Sequence, residues 1–123
     1  MIAGDGPLLG LVKGVNGAAL GNTRIAIEAT NYIVDSILFV NASVTPVLAQ
    51  AAIRTADNGG GSAIVAAAVM TSLTAPEIFS SRTLAAPATT SVLNADSLYV
   101  QVTVANAAAL TFDVYVYGRP VTP

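Results

Sequence analysis

The chain has 123 residues, five basic and seven acidic side chains, a net charge of −2, and no cysteine, histidine or tryptophan. A single domain of this length buries roughly two-thirds of its unfolded surface, so one core is expected. Missing thiols exclude disulfides and thiolate metal sites, and missing imidazoles remove the commonest general base. Charged residues are 10% of the chain, against roughly 25% in an average soluble domain. A surface so short of charge is readily desolvated against another protein, and interfaces are expected.

Residues 1–20 read as an N-terminal arm, 21–118 as a β-sandwich domain and 119–123 as a C-terminal tail. The opening Met1-Ile2-Ala3-Gly4-Asp5-Gly6 carries an acid where a signal peptide carries positive charge, so synthesis in the cytosol without processing is expected. Within the arm, Leu8 to Lys13 forms a candidate strand, and Gly14-Val15-Asn16-Gly17 a tight turn built on the Asn-Gly step. Only Asp5 and Lys13 are charged there, so the arm gains little by folding alone in water. Leu8, Leu9, Leu11 and Val12 are accordingly candidate contacts with another subunit.

Arg24 to Glu28 is a half-buried strand with Ile25 and Ile27 on one face. Tyr32 to Ala42 is the longest strand candidate, apolar on both faces except at Asp35-Ser36, which calls for a bulge or two-sided burial. Thr45-Pro46 starts a loop, and Leu48 to Thr55 supplies another strand. In Ser62 to Leu73 the alanines favour a short helix, while Ile64, Val65 and Val69 suit a strand equally. Ile78 to Leu84 alternates as a strand without a cleanly polar face. The end of the chain is plainest: Leu98, Val100, Val102 and Val104 alternate with Tyr99, Gln101 and Thr103, and Phe112, Val114 and Val116 with Asp113, Tyr115 and Tyr117. The fold class is all-β: an antiparallel β-sandwich of jelly-roll or Greek-key type, with room for one short helix. Whether the last two strands share a sheet stays open.

Chemistry is poorly provided for. The sole lysine, Lys13, lies in no Ser-x-x-Lys motif, and Glu28 with Asp35 is the only acid pair on neighbouring strand candidates that could serve glycoside hydrolysis. Solvated charges on outward faces explain that pair more simply. Asp57-Asn58-Gly59-Gly60-Gly61-Ser62 lacks the alternating acids and closing Glu of an EF-hand and the Gly-Lys-Ser/Thr of a P-loop, and is read as a turn carrying the chain between sheets. No catalytic, cofactor or metal residue is assigned. The scattered cations Lys13, Arg24, Arg54, Arg82 and Arg119 give no nucleic-acid face, and the longest apolar run, Ala63 to Met70, has eight residues where a membrane helix needs about 20. Tyr99, Tyr115 and Tyr117 fall opposite the core-facing residues of their strands, where they are candidate anchors for a protein interface. If those strands pair directly, Tyr99 lies across from Tyr115 or Tyr117.

Several stretches resemble the small decoration, or cement, proteins of tailed-bacteriophage capsids. These are Asn31-Tyr32-Ile33-Val34, Phe39-Val40-Asn41-Ala42-Ser43, Gly59 to Ala66, Leu84-Ala85-Ala86, Asp96-Ser97-Leu98-Tyr99 and Asp113 to Gly118. The chain departs from the family at Asp35-Ser36, where basic residues are expected. The resemblance implies a non-enzymatic β-sandwich on the outer capsid surface of the virion. Its partners would be the major capsid protein and further copies of itself, a trimer ahead of a dimer. The alternative is a carbohydrate- or receptor-binding sandwich displayed on a virion or cell surface.

Overall fold

The computed structural model describes residues 8–58, 60–70, 73–74, 77–85 and 89–121. Short runs of alternating apolar residues, bounded by Gly, Asn or Pro, become strands that turn one face to a shared core. They are β1 (Leu8–Asn16), β2 (Gly21–Ala26), β3 (Tyr32–Val40), β4 (Gln50–Arg54), β5 (Ala63–Val69), β6 (Ser80–Ser81), β7 (Ser97–Val104) and β8 (Thr111–Pro120). Sheet A has the order β1-β8-β3-β6 and sheet B the order β2-β7-β4-β5, antiparallel throughout.

The pairing is nested. β4 pairs with β5, β3 with β6, β2 with β7 and β1 with β8, as in one long hairpin folded over on itself. Two four-stranded sheets joined in this way make an eight-stranded jelly roll. β7 and β8 therefore lie in opposite sheets, and the cross-strand pair of Tyr99 with Tyr115 or Tyr117 does not form.

Both sheets fill the space between them. Phe39 of β3 and Phe112 of β8 touch at the centre, ring centroids 5.3 Å apart, and Leu98, Val100, Ile53 and Ile64 close over them from sheet B. One extra residue reconciles β3 with this core. Val34 pairs with Gly118 and Ser36 with Tyr117, leaving Asp35 bulged out. The bulge resets the alternation so that Tyr32, Val34, Ile37 and Phe39 all point inward, although their spacing breaks the period of two. Tyr32 is wholly buried, and its hydroxyl donates to the Ala95 carbonyl at 2.7 Å.

The domain boundaries need correction. Residues 8–16 are not part of a separate arm: β1 pairs with β8 along its length, and Leu9 and Val15 are in the core. The expected turn at Gly14 to Gly17 is a second bulge inside β1, where Gly14 takes φ +70° and its N–H donates to Asp113 Oδ1. Asn41, at φ 58°, ends β3 and donates from Nδ2 to Asp113 Oδ2, so one carboxylate fixes both left-handed residues. At the other end β8 runs on to Pro120, past the expected start of the tail. Residues 1–7 and 122–123 lie outside the described residues.

Residues 63–69 are strand β5. Alanine's helix preference is overridden because Ile64 and Val65 bury in the core while the backbone bonds to β4. The glycine loop does not cross between sheets but closes the β4–β5 hairpin within sheet B. Its Gly60 and Gly61 carbonyls accept the Arg54 guanidinium at 3.0 and 3.1 Å. Of Ile78 to Leu84, only Ser80–Ser81 is regular strand.

Candidate interaction surface

Each sheet has an outer face, and strand register decides what it carries. In sheet A, Tyr115 is opposite Leu11 on β1 and Leu38 on β3, and Tyr117 is opposite Leu8 and Ser36. Residues paired in this way point to the same side of a sheet. Tyr115 and Tyr117 stack along β8, their rings 6.4 Å apart and within 12° of parallel. With Leu38, Val40 and Phe79 they line an apolar depression of about 230 Å³. Leu8, Leu11 and Phe79 are 41%, 39% and 56% exposed, an unusual amount of apolar surface to leave in water.

Fixed polar groups frame this patch. At one end Asp113 holds Asn41 and Gly14, and at the other the bulged Asp35 accepts both Nε and Nη2 of Arg119 at 3.1 Å. Because both carboxylates are already engaged, the ground between them is apolar and aromatic.

Four of the seven residues expected at an interface, Leu8, Leu11, Tyr115 and Tyr117, therefore come together on one face. The other three do not join them. Leu9 points into the core at 2% exposure, and Val12, opposite the buried Val114, packs half-buried against it. Tyr99 is in sheet B, half-buried between Arg24 and Arg54 on the adjacent strands. Sequence reasoning missed Leu38, Val40 and Phe79. Placing the bulge at Asp35 would have turned Leu38 and Val40 outward.

Glu28 and Asp35 do not form a catalytic pair. Asp35 is on the outer face of sheet A bound to Arg119, whereas Glu28 follows β2 and shares a depression with Asp96. Among the described residues no group of three acids could hold a metal ion, and no helix is long and apolar enough to cross a membrane.

No family model, curated protein or solved structure matches the chain. The functional reading therefore stands on the surface itself.

The outer face of sheet B is of another kind. It presents Gln101, Thr103 and Tyr99 from β7, with Asn22 and Arg24 on one side and Gln50 and Arg54 on the other. Arg24 donates to the Ser97 hydroxyl and Thr103 to the Gln50 carbonyl, while Arg54 reaches the glycine loop and Asn22 Oδ1 is buried without a partner.

Proposed function

We propose that this protein is a structural virion component, a jelly-roll subunit that self-associates and attaches by the outer face of sheet A to the outer surface of a tailed-bacteriophage capsid. The observation carrying this reading is the contiguous apolar face of Leu8, Leu11, Leu38, Val40, Phe79, Tyr115 and Tyr117 on a chain with so few charges. Tyrosine suits an adhesive face because its ring contributes apolar area while its hydroxyl finds a partner at the rim. The resemblance to capsid decoration proteins names the partner, the major capsid protein. The subunit carries out no reaction in this reading and is made in the host cytoplasm.

Adhesion of this type works by number. One face of this size binds weakly, but copies joined in a small ring, a trimer ahead of a dimer, engage neighbouring capsid subunits together, and effective concentration multiplies the affinity. Such a clamp resists forces that part adjacent capsid subunits. Mixing the protein with empty capsids of the phage that encodes it, followed by sedimentation, tests the reading. Saturable co-sedimentation at a fixed ratio to the major capsid protein is expected, and a protein left in the supernatant at every concentration would overturn it.

The near-parallel rings of Tyr115 and Tyr117 beside an apolar depression also favour a second reading, a glycan- or receptor-binding module using the tyrosines as a stacking platform. Binding to a glycan array by a protein that ignores capsids would establish that alternative.

A further inference from the structure

The two flanks of the sandwich are closed differently. Between β1 and β2 the backbones nearly touch: the Glu28 N–H donates to the Leu9 carbonyl at 2.9 Å, and any side chain at Gly10 would collide with the Ala26 carbonyl. On the opposite flank, β5 and residues 81–85 stand apart around a groove of about 320 Å³. Ala66, Ala67, Ala68 and Ala85 line it with side chains small enough for another backbone to approach. β5 pairs with β4 alone, so its other edge faces the groove. Two bonds span the gap, Ala85 N–H to the Ile64 carbonyl at 2.8 Å and Arg82 Nη2 to the Val69 carbonyl at 3.3 Å.

Among the described residues Arg82 is the one charged group lining this groove. Its guanidinium lies 5.1 Å from the Phe39 ring centre and donates from Nη1 to the Ser80 hydroxyl. Its Nε is buried without an acceptor, and among the described residues no carboxylate pairs with it. Burial alone lowers its pKa, with no carboxylate acting against the shift. A guanidinium fork holding only a hydroxyl and a long bond to a carbonyl is short of the carboxylate it is shaped to accept.

We propose that this groove receives, as an added strand, the segment Met1–Pro7 of a second copy of the chain, with Asp5 on the Arg82 guanidinium. The segment fits in chemistry. Met1-Ile2-Ala3-Gly4-Asp5-Gly6-Pro7 carries one charged side chain, an acid set between glycines. Strand addition supplies main-chain bonds to the free edge of β5, and the carboxylate sets the register. Topology gives the assembly its form. The segment precedes β1 on one flank and the groove lies on the other, so donor and acceptor surfaces differ, and head-to-tail addition that closes on itself makes a ring. The inference rests on the self-associating part of the proposed function, and what the ring attaches to does not enter it.

Charge exchange tests it. Light scattering of the full chain is expected to show a ring that Asp5→Arg alone weakens about tenfold or more in dissociation concentration. Arg82→Glu should do the same, and combining the two should restore the ring. Should Arg82→Glu fail to fold, Asp5→Arg with Arg82→Lys, which keeps the positive charge, still reads the contact: the first weakens the ring and the second largely spares it. Asp5→Cys with Ala67→Cys in this cysteine-free chain provides a second measurement. Disulfide-linked multimers on a non-reducing gel are expected. A ring indifferent to Asp5→Arg, or crosslinks confined to single chains, would overturn the proposal. Failure to bind capsids with these outcomes intact would overturn the capsid reading alone.

Discussion

The outer faces of sheets A and B are built on the same alternation, yet they treat water in opposite ways. Sheet A turns Leu11, Leu38, Tyr115 and Tyr117 outward, while sheet B turns out Gln50, Gln101, Thr103 and Arg24. On sheet B some of the polar groups bond to one another, Arg24 to Ser97 and Thr103 to the Gln50 carbonyl. On sheet A Asp113 and Asp35 each hold a partner at the ends, and among the described residues the ground between them is apolar and partly exposed. The difference lies in what each face leaves exposed: an apolar centre on sheet A and polar side chains along β7 on sheet B.

Both faces depend on one core, and the largest expected effect removes that support. Phe112→Ala, which takes away the ring against Phe39, should cost about 3–5 kcal/mol in urea unfolding and melt the two faces together. Separate transitions for the two sheets would show that the faces can be lost independently. Next comes the direct comparison. Tyr115→Ser with Tyr117→Ser should weaken capsid association by about 2–3 kcal/mol, whereas Tyr99→Ser should change it by less than about 0.5 kcal/mol. Co-sedimentation titrations read both, and equal losses would erase the distinction between the faces.

A smaller effect comes from Tyr32, buried beneath the bulged end of β3. Burial, assisted by the nearby Asp96 charge, pushes its hydroxyl from 10.0 up to about 12. Between those values the unfolded chain has lost a proton that the folded chain keeps. The stabilisation from Tyr32 is therefore fully present below pH 10.0 and is lost as the pH climbs toward about 12, by on the order of 1–2 kcal/mol. Urea midpoints across this range should fall in the natural chain, and Tyr32→Phe should remove that part of the slope. The smallest effect belongs to the rim. Asp35→Ala breaks the pair with Arg119, whose side chain is 60% exposed, and thermal melts should shift by no more than about 0.5 kcal/mol.

Legibility in the sequence followed the cleanness of the alternation. β7 and β8 keep strict period two, and Leu98, Val100, Val102, Phe112, Val114 and Val116 all face the core, whereas Val104, at the end of β7, is exposed. Asp35 could be recognised as a break because a charge interrupted an apolar run. Its consequence could not, because a bulge changes the facing of every residue after it, and Leu38 and Val40 became surface only in the folded sheet. β1 was legible only from Leu8 to Lys13, and as part of an arm, for a related reason. Its bulges disguise the period, and Gly14 is an excellent turn residue that here serves a bulge within a strand. Ala63 to Val69 carries local preferences for helix that only its pairing with β4 decides. The division of the tyrosines between two sheets depended on long-range topology, which local pattern does not encode.

The nested strand order also constrains when the molecule can come into being. On the ribosome β1, β2 and β3 leave the exit tunnel before β6, β7 and β8, their pairing partners, have been translated. Only the β4–β5 hairpin joins strands that follow one another directly; every other pair waits for a partner translated later, and β1 waits longest, for β8. Several apolar strands therefore spend an interval of synthesis without their partners.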